Sequence, residues 1–391
     1  MRATNEREPV SSYSASPAHG APAYPALVQL SGLLKWDAVP FRVVTWRDAF
    51  ENLLEKRLNY LLGLSEADSC NLQGLALLPL ESRKRFMRAP VVSALVLRRH
   101  ADGRRAEGGF DGQYFAELLA AELASEGVFA ELPASYWTAR GDRFLDRSAR
   151  DDWKRPTTLL GGIGIAIDES SPFPFPDDEP GIGATSTHNH AELELVQKRL
   201  QDATELLRRS CPLAMDVVGT FVEVLALRRE AENARKFYSS TFWGYAGLVR
   251  LANAHLLDAD LGAVTEALVH EAIHCILHVH EELETPFLRT VEARQAKIVS
   301  PWTGVTIKLQ SYIHACAVWY GLYWLWAKIE PTDGLPERRI RMLRHRAREG
   351  FEHGPVAVGL RHVDHLLNAD VRHLLQNLEQ QMLFEVDHGL D

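Results

Sequence analysis

Disulfide bonding, membrane insertion and phosphate binding are the three tasks for which this chain is least equipped. It holds 4 cysteines in 391 residues, Cys70, Cys211, Cys275 and Cys316, and no two of them stand at C-x-x-C spacing. A disulfide framework and a thiolate zinc cluster are thereby excluded, and a reduced, cytoplasmic setting is expected. The longest wholly uncharged apolar or aromatic run, Ala315 to Ala327, is shorter than the roughly 20 residues a bilayer span requires. It reads as a buried helix rich in Trp and Tyr, and no membrane partner is expected. Met1 to Ala26 is rich in Ser, Pro and Ala and lacks an apolar core segment, which argues against a standard secretory signal and for a disordered tail.

A net positive charge is also lacking. A formal net charge of −9 gives a surface that repels phosphates, so no nucleic-acid partner is expected. The one basic cluster, Arg338, Arg339, Arg341, Arg344, Arg346 and Arg348, reads first as a solvated helix face; as a binding surface it would suit an acidic peptide better than DNA. No G-x-x-x-x-G-K-[ST] loop occurs, and Gly162-Ile163-Gly164 alone does not make a phosphate cradle.

What is present is an α+β pattern dominated by helix, with a sizeable apolar fraction of 46%. After the tail, residues 27–158 read as a helical N-terminal region, with clear helices over Thr45 to Leu62 and Gly112 to Glu126. A short β-like run, Leu159 to Ile167, and an irregular Pro-rich stretch, Ser171 to Gly181, mark the best internal boundary. Residues 159–330 then read as the catalytic region: a helix over Ala191 to Arg209, a strand over Val217 to Arg228, and a β-like segment over Phe237 to Leu251. Residues 331–391 read as C-terminal helices.

The catalytic region is defined by His270-Glu271-Ala272-Ile273-His274. Two imidazoles at i and i+4 share one helix face, roughly 5–6 Å apart at Cβ, which lets one metal ion take a nitrogen from each. With 16 His and 52 acidic residues, a shuffled chain would contain about 0.09 such matches, so a chance match is uncommon, and the competing reading is two polar histidines on an ordinary amphipathic helix. Leu261, Val264, Leu268, Ile273, Ile276 and Leu277 recur at helical spacing around it, Asp258 or Asp260 can cap its start, and no proline intervenes before Pro286.

Two histidines leave the ion short of a ligand. His314 lies in an apolar helix, Lys308 to Lys328, whose Ala317, Val318 and Gly321 would let it approach the motif helix closely. Glu281, Glu282, Glu284 and Glu292 are the competing carboxylates. His278 stands a turn beyond His274, too far to share the ion, and reads as an outer or surface residue; His255 and His280 have no special spacing. Ser300-Pro301-Trp302-Thr303-Gly304, with Arg294, Lys297 and Lys308 nearby, offers an anion clamp for a carboxylate-bearing co-substrate. The hydroxyl- and aromatic-rich segment with Ser240, Thr241, Trp243 and Tyr245 is the expected substrate-binding edge.

Leu268 to His274, Ser300 to Gly304, Ile313-His314-Ala315 and the upstream Phe237 to Phe242 together resemble the HExxH-type peptide β-hydroxylases that depend on 2-oxoglutarate and modify ribosomally made peptides. The resemblance covers roughly Phe221 to Trp326. It implies a zincin-like core, a small sheet plus the motif helix, and a non-haem Fe(II) dioxygenase that converts 2-oxoglutarate and dioxygen to succinate while hydroxylating a β-carbon of a precursor peptide. On that reading His270, His274 and His314 bind iron, and Lys308 or Arg294, helped by Thr303 and the Trp302 loop, holds the co-substrate. A three-histidine set differs from the two-histidine, one-carboxylate arrangement of most iron oxygenases. Two other readings compete. One is a zinc metallopeptidase with Glu271 as general base, although no H-x-x-G-x-x-H extension and no N-E-x-x-x-E helix follows. The other is a non-catalytic peptide-binding protein.

Overall fold

The computed structural model describes residues 27–37, 42–63, 69–97, 110–128, 136–145, 164–171, 185–230, 236–284, 286–290, 292–353 and 356–387. The expected tail, most of the Pro-rich stretch and the beginning of the first β-like run lie outside these residues. Helix predominates, with a small mixed sheet, so the chain is of the α+β class.

Periodicity accounts for most of the helices. Val44–Leu62 buries Trp46, Phe50, Leu54 and Leu58 at i, i+4 spacing and lies against the motif helix. His190–Ser210 begins with a capping box: the Asn189 side chain accepts from the Glu192 backbone N–H while the Glu192 carboxylate accepts from that of Asn189. Sequence reasoning errs at the next element. Val217 to Arg228 is not one strand; Pro212–Phe221 is a helix and the strand is Val224–Glu230. Pro212 opens the helix, and Ala214, Val217, Val218 and Phe221 bury a 3.6-period stripe that overrides the β preference of the two valines.

The sheet runs in the order Ala166–Asp168, Val224–Glu230, Leu248–Ala252, Tyr238–Thr241. The first three are parallel, and the last is antiparallel to its neighbour with Ser240 opposite Arg250. Phe237 to Leu251 is thus two strands joined by a turn. All five residues of Leu248–Ala252 are buried, as a central strand covered on both faces requires. Buried ion pairs tie the sheet together: Arg228 to Asp168 at 2.7 Å and Arg250 to Glu230 at 3.2 Å. Tyr238–Thr241 is the edge, with no strand on its outer side among the described residues.

The motif helix spans Leu261–Leu283, and its start is fixed by Asp260, whose carboxylate accepts from the Ala263 N–H at 2.7 Å. The second histidine helix, Leu309–Lys328, crosses it closely. A Cβ on Gly321 would stand 2.7 Å from Ile273 Cδ1, so glycine is what permits the approach. Glu337–His353 and Ala369–Asp387 cover the outer side of that second helix. Buried apolar residues from Leu27 to Met382 form one continuous core around these helices. No helix among the described residues is long and apolar enough to cross a membrane, and Cys211, Cys275 and Cys316 are buried free thiols.

Candidate metal centre

The floor of the site is the i, i+4 pair. His270 Nε2 and His274 Nε2 stand 3.2 Å apart. At metal–nitrogen lengths of about 2.1 Å, two ligands on one ion stand about 3.0–3.4 Å from each other, so the pair has the spacing of co-ligands. Glu271 stands beside the pair: one oxygen of Glu271 and one nitrogen of each histidine all lie within 4.8 Å of one another, a wider spacing than that of the two histidines. Burial, assisted by the Arg346 guanidinium, pushes His270 down to about 4. Burial, then the neighbouring imidazoles, holds His274 well below its ordinary value. Both rings are therefore neutral at pH 7, the state in which imidazole binds metal.

Glu271 is held from the edge strand. Its Oε1 accepts from Ser239 Oγ at 2.6 Å and lies 4.0 Å from His270 Nε2. Burial raises its carboxyl to about 7, against the opposing effects of Ser239, Thr241 and Arg250. The sequence places Ser239 only within the hydroxyl-rich edge segment and gives it no role on Glu271, yet a signal existed: it alternates with Thr241 on one face of the strand, the face toward the motif helix.

A cavity of about 460 Å³ opens over these donors. Ser239 to Trp243 line it from the edge strand and the turn after it, and His278, His314, Arg294, Lys308, Gln310 and Ser311 complete the lining. Arg294 sits 5.4 Å from the centre of the Trp243 ring, and neither Arg294 nor Lys308 has an ion-pair partner among the described residues. Ser240, Thr241 and Trp243 of the expected edge line the cavity, whereas Tyr245 packs beside Phe242 and Leu248. Trp302 and Thr303 do not line it. The Trp302 indole donates to the Ala347 carbonyl at 3.0 Å and stacks on Trp319, which meets His270 edge-on; Thr303 is exposed and accepts from the Val305 N–H.

His278 and His314 lie beyond the His270–His274 pair. His278 is no surface residue: it is buried, lines the cavity and stacks on Trp243 with ring centroids 5.9 Å apart. His314 comes close to the motif helix, as the small residues of its own helix implied, but it meets His274 through Nδ1 at 2.9 Å, on the side of that ring away from His270. Among the competing carboxylates, Glu281 is buried and reaches His314, Glu282 is half-buried and Glu284 is exposed; the side chain of Glu292 lies outside the described residues. The basic cluster is largely engaged: Arg339, Arg341, Arg346 and Arg348 pair with Asp260, Glu337, Glu266 and Glu352, and Arg344 bonds the Tyr323 hydroxyl.

No protein-family model matches the chain, and no curated protein matches it either.

Proposed function

We propose that this protein is an Fe(II)- and 2-oxoglutarate-dependent hydroxylase of an extended peptide, built on a zincin-like core. The observation that carries the reading is a two-histidine, one-carboxylate group sharing one cavity with two cations, Arg294 and Lys308, that form no ion pair among the described residues. That donor set is the one most non-haem iron oxygenases use, and it comes from His270, His274 and Glu271. Unpaired cations beside such a set are what a dicarboxylate co-substrate needs. When bound, iron and 2-oxoglutarate would, with dioxygen, supply the oxidative decarboxylation that puts one oxygen atom of dioxygen into a substrate C–H bond and leaves succinate and carbon dioxide.

The chain's own residues do the rest. Arg294, steadied over Trp243, and Lys308 bind the distal carboxylate of the co-substrate. Ser239 fixes the orientation of Glu271. The open edge of Tyr238–Thr241 accepts the peptide in extended form by backbone pairing, which aims alternate side chains at the donors. The precursor peptides implied by the resemblance fit that mode. Three buried free thiols fit a reducing, cytoplasmic compartment.

One observation favours a second reading. Glu271, raised to about 7 beside a metal-binding pair, has the properties of a general base in a zinc peptidase. Anaerobic Fe(II) loading, addition of 2-oxoglutarate and a candidate precursor peptide, then admission of air, separates the two. Succinate together with a peptide heavier by one oxygen atom supports the hydroxylase; peptide cleavage without 2-oxoglutarate establishes the peptidase instead.

A further inference from the structure

His314 does not face the ion that His270 and His274 would share. The two nitrogens of an imidazole point to opposite sides of the ring. His274 offers Nε2 to the side where His270 Nε2 lies at 3.2 Å, and turns Nδ1 to His314 Nδ1 at 2.9 Å. The His274 and His314 rings are inclined by only 23° with centroids 5.1 Å apart, equal within a tenth or so of an ångström to the nitrogen separation plus two ring radii. They meet edge to edge in nearly one plane, the geometry of a ring-to-ring hydrogen bond. Behind His314 stands a carboxylate: Glu281 Oε2 lies 3.7 Å from His314 Nε2, a buried nitrogen with no hydrogen-bond partner. Glu281 is itself fixed, accepting from the Gln310 amide at 2.7 and 2.6 Å and from the Phe287 N–H at 3.2 Å.

We infer that His314 and Glu281 form an outer relay that sets the tautomer and orientation of His274, and that His314 is a positioning residue, not a metal ligand. The inference rests on the reading of His270 and His274 as a metal pair. The protons allow one arrangement. If His274 Nε2 gives its lone pair to an ion, its proton stands on Nδ1 and is donated to His314 Nδ1. The His314 proton then stands on Nε2, directed at the Glu281 carboxylate. A ligating histidine usually donates its other ring N–H to a carboxylate, backbone carbonyl or water; here an imidazole backed by a carboxylate takes that place, and loss of such a partner costs roughly 10–100-fold in metal affinity. Gln310 and the Phe287 backbone hold the carboxylate at the end of the chain.

The test counts imidazoles on the metal in the full-length protein. Loaded with one equivalent of Cu(II), the wild-type protein is expected to show two coordinated imidazoles by electron spin echo modulation, and His314→Asn also two. Three in the wild type and two in His314→Asn would make His314 a ligand and overturn the inference while leaving the metal centre intact. No metal uptake by the wild type would remove both. Affinity for Co(II) gives an independent readout. His314→Ala is expected to bind about 10–100-fold more weakly, and His314→Asn, whose amide oxygen accepts from His274 Nδ1, to recover most of that loss. Glu281→Gln is expected to weaken binding by a smaller factor than His314→Ala. An Asn variant that loses the metal as completely as His274→Ala does contradicts the relay.

Discussion

His274 and His280 stand on the same helix, less than two turns apart, and burial holds both rings neutral. Their surroundings share nothing else. His274 lies between two other imidazole nitrogens and opens on a polar cavity. His280 faces the core, edge-on to Trp46 and beside Phe287, and neither of its nitrogens has a partner. A depressed histidine pKa therefore marks burial, and only the company of the nitrogens separates a metal donor from a ring held in an apolar wall.

The largest consequence concerns metal content. His270→Ala or His274→Ala should lower bound Fe(II), measured by elemental analysis after anaerobic loading and desalting, from one equivalent to near zero, while His280→Leu should retain it. Equal loss in all three variants would erase the distinction between the two faces. Next in size is the co-substrate clamp. If Arg294 holds the distal carboxylate as proposed, replacing it by Met removes a charge-assisted hydrogen bond worth about 1.5–3 kcal/mol, and the KM for 2-oxoglutarate should rise roughly 10–100-fold with a smaller change in kcat.

His280 also carries a pH signature. Its folded value, about 4, lies below the ordinary 6.5, so the unfolded chain binds a proton that the folded chain refuses. Its contribution to stability is intact above about pH 6.5 and falls as the pH drops toward 4. Urea unfolding at pH 7 and pH 5 should show that His280→Leu loses about 2 kcal/mol less between them than the wild type. Identical losses would mean that the ring is not buried in the native state. Two smaller effects test the frame that holds the motif face. Gly321→Ala should force the two histidine helices apart at Ile273 and cost about 1–3 kcal/mol by thermal unfolding. Asp260→Ala should remove the cap of the motif helix and cost about 1 kcal/mol.

Sequence reasoning reached the helices wherever a 3.6-period stripe met a cap, as at Asp260, and it reached the histidine pair because both members lie on one turn. It misread Val217 to Phe221, where packing of one face overrode residue preference. It drew Arg294 and Lys308 to the site from their charge and their closeness to the Pro-Trp loop, but that loop faces elsewhere: Trp302 fills the space left by Gly350, where a Cβ would overlap the indole. Strand alternation puts Ser239 and Thr241 on one face, but that Ser239 meets Glu271 and Gln310 meets Glu281 depends on how a strand and two helices dock across long sequence separations. The direction in which His314 points belongs to the same class.

The central claim is that the cavity takes iron and 2-oxoglutarate together. Fe(II)-loaded protein titrated with 2-oxoglutarate under argon measures this directly through its visible absorption. The account predicts a new metal-to-ligand charge-transfer band that saturates at one 2-oxoglutarate per chain and is lost in His274→Ala. An unchanged spectrum in protein that holds a full equivalent of Fe(II) would contradict it.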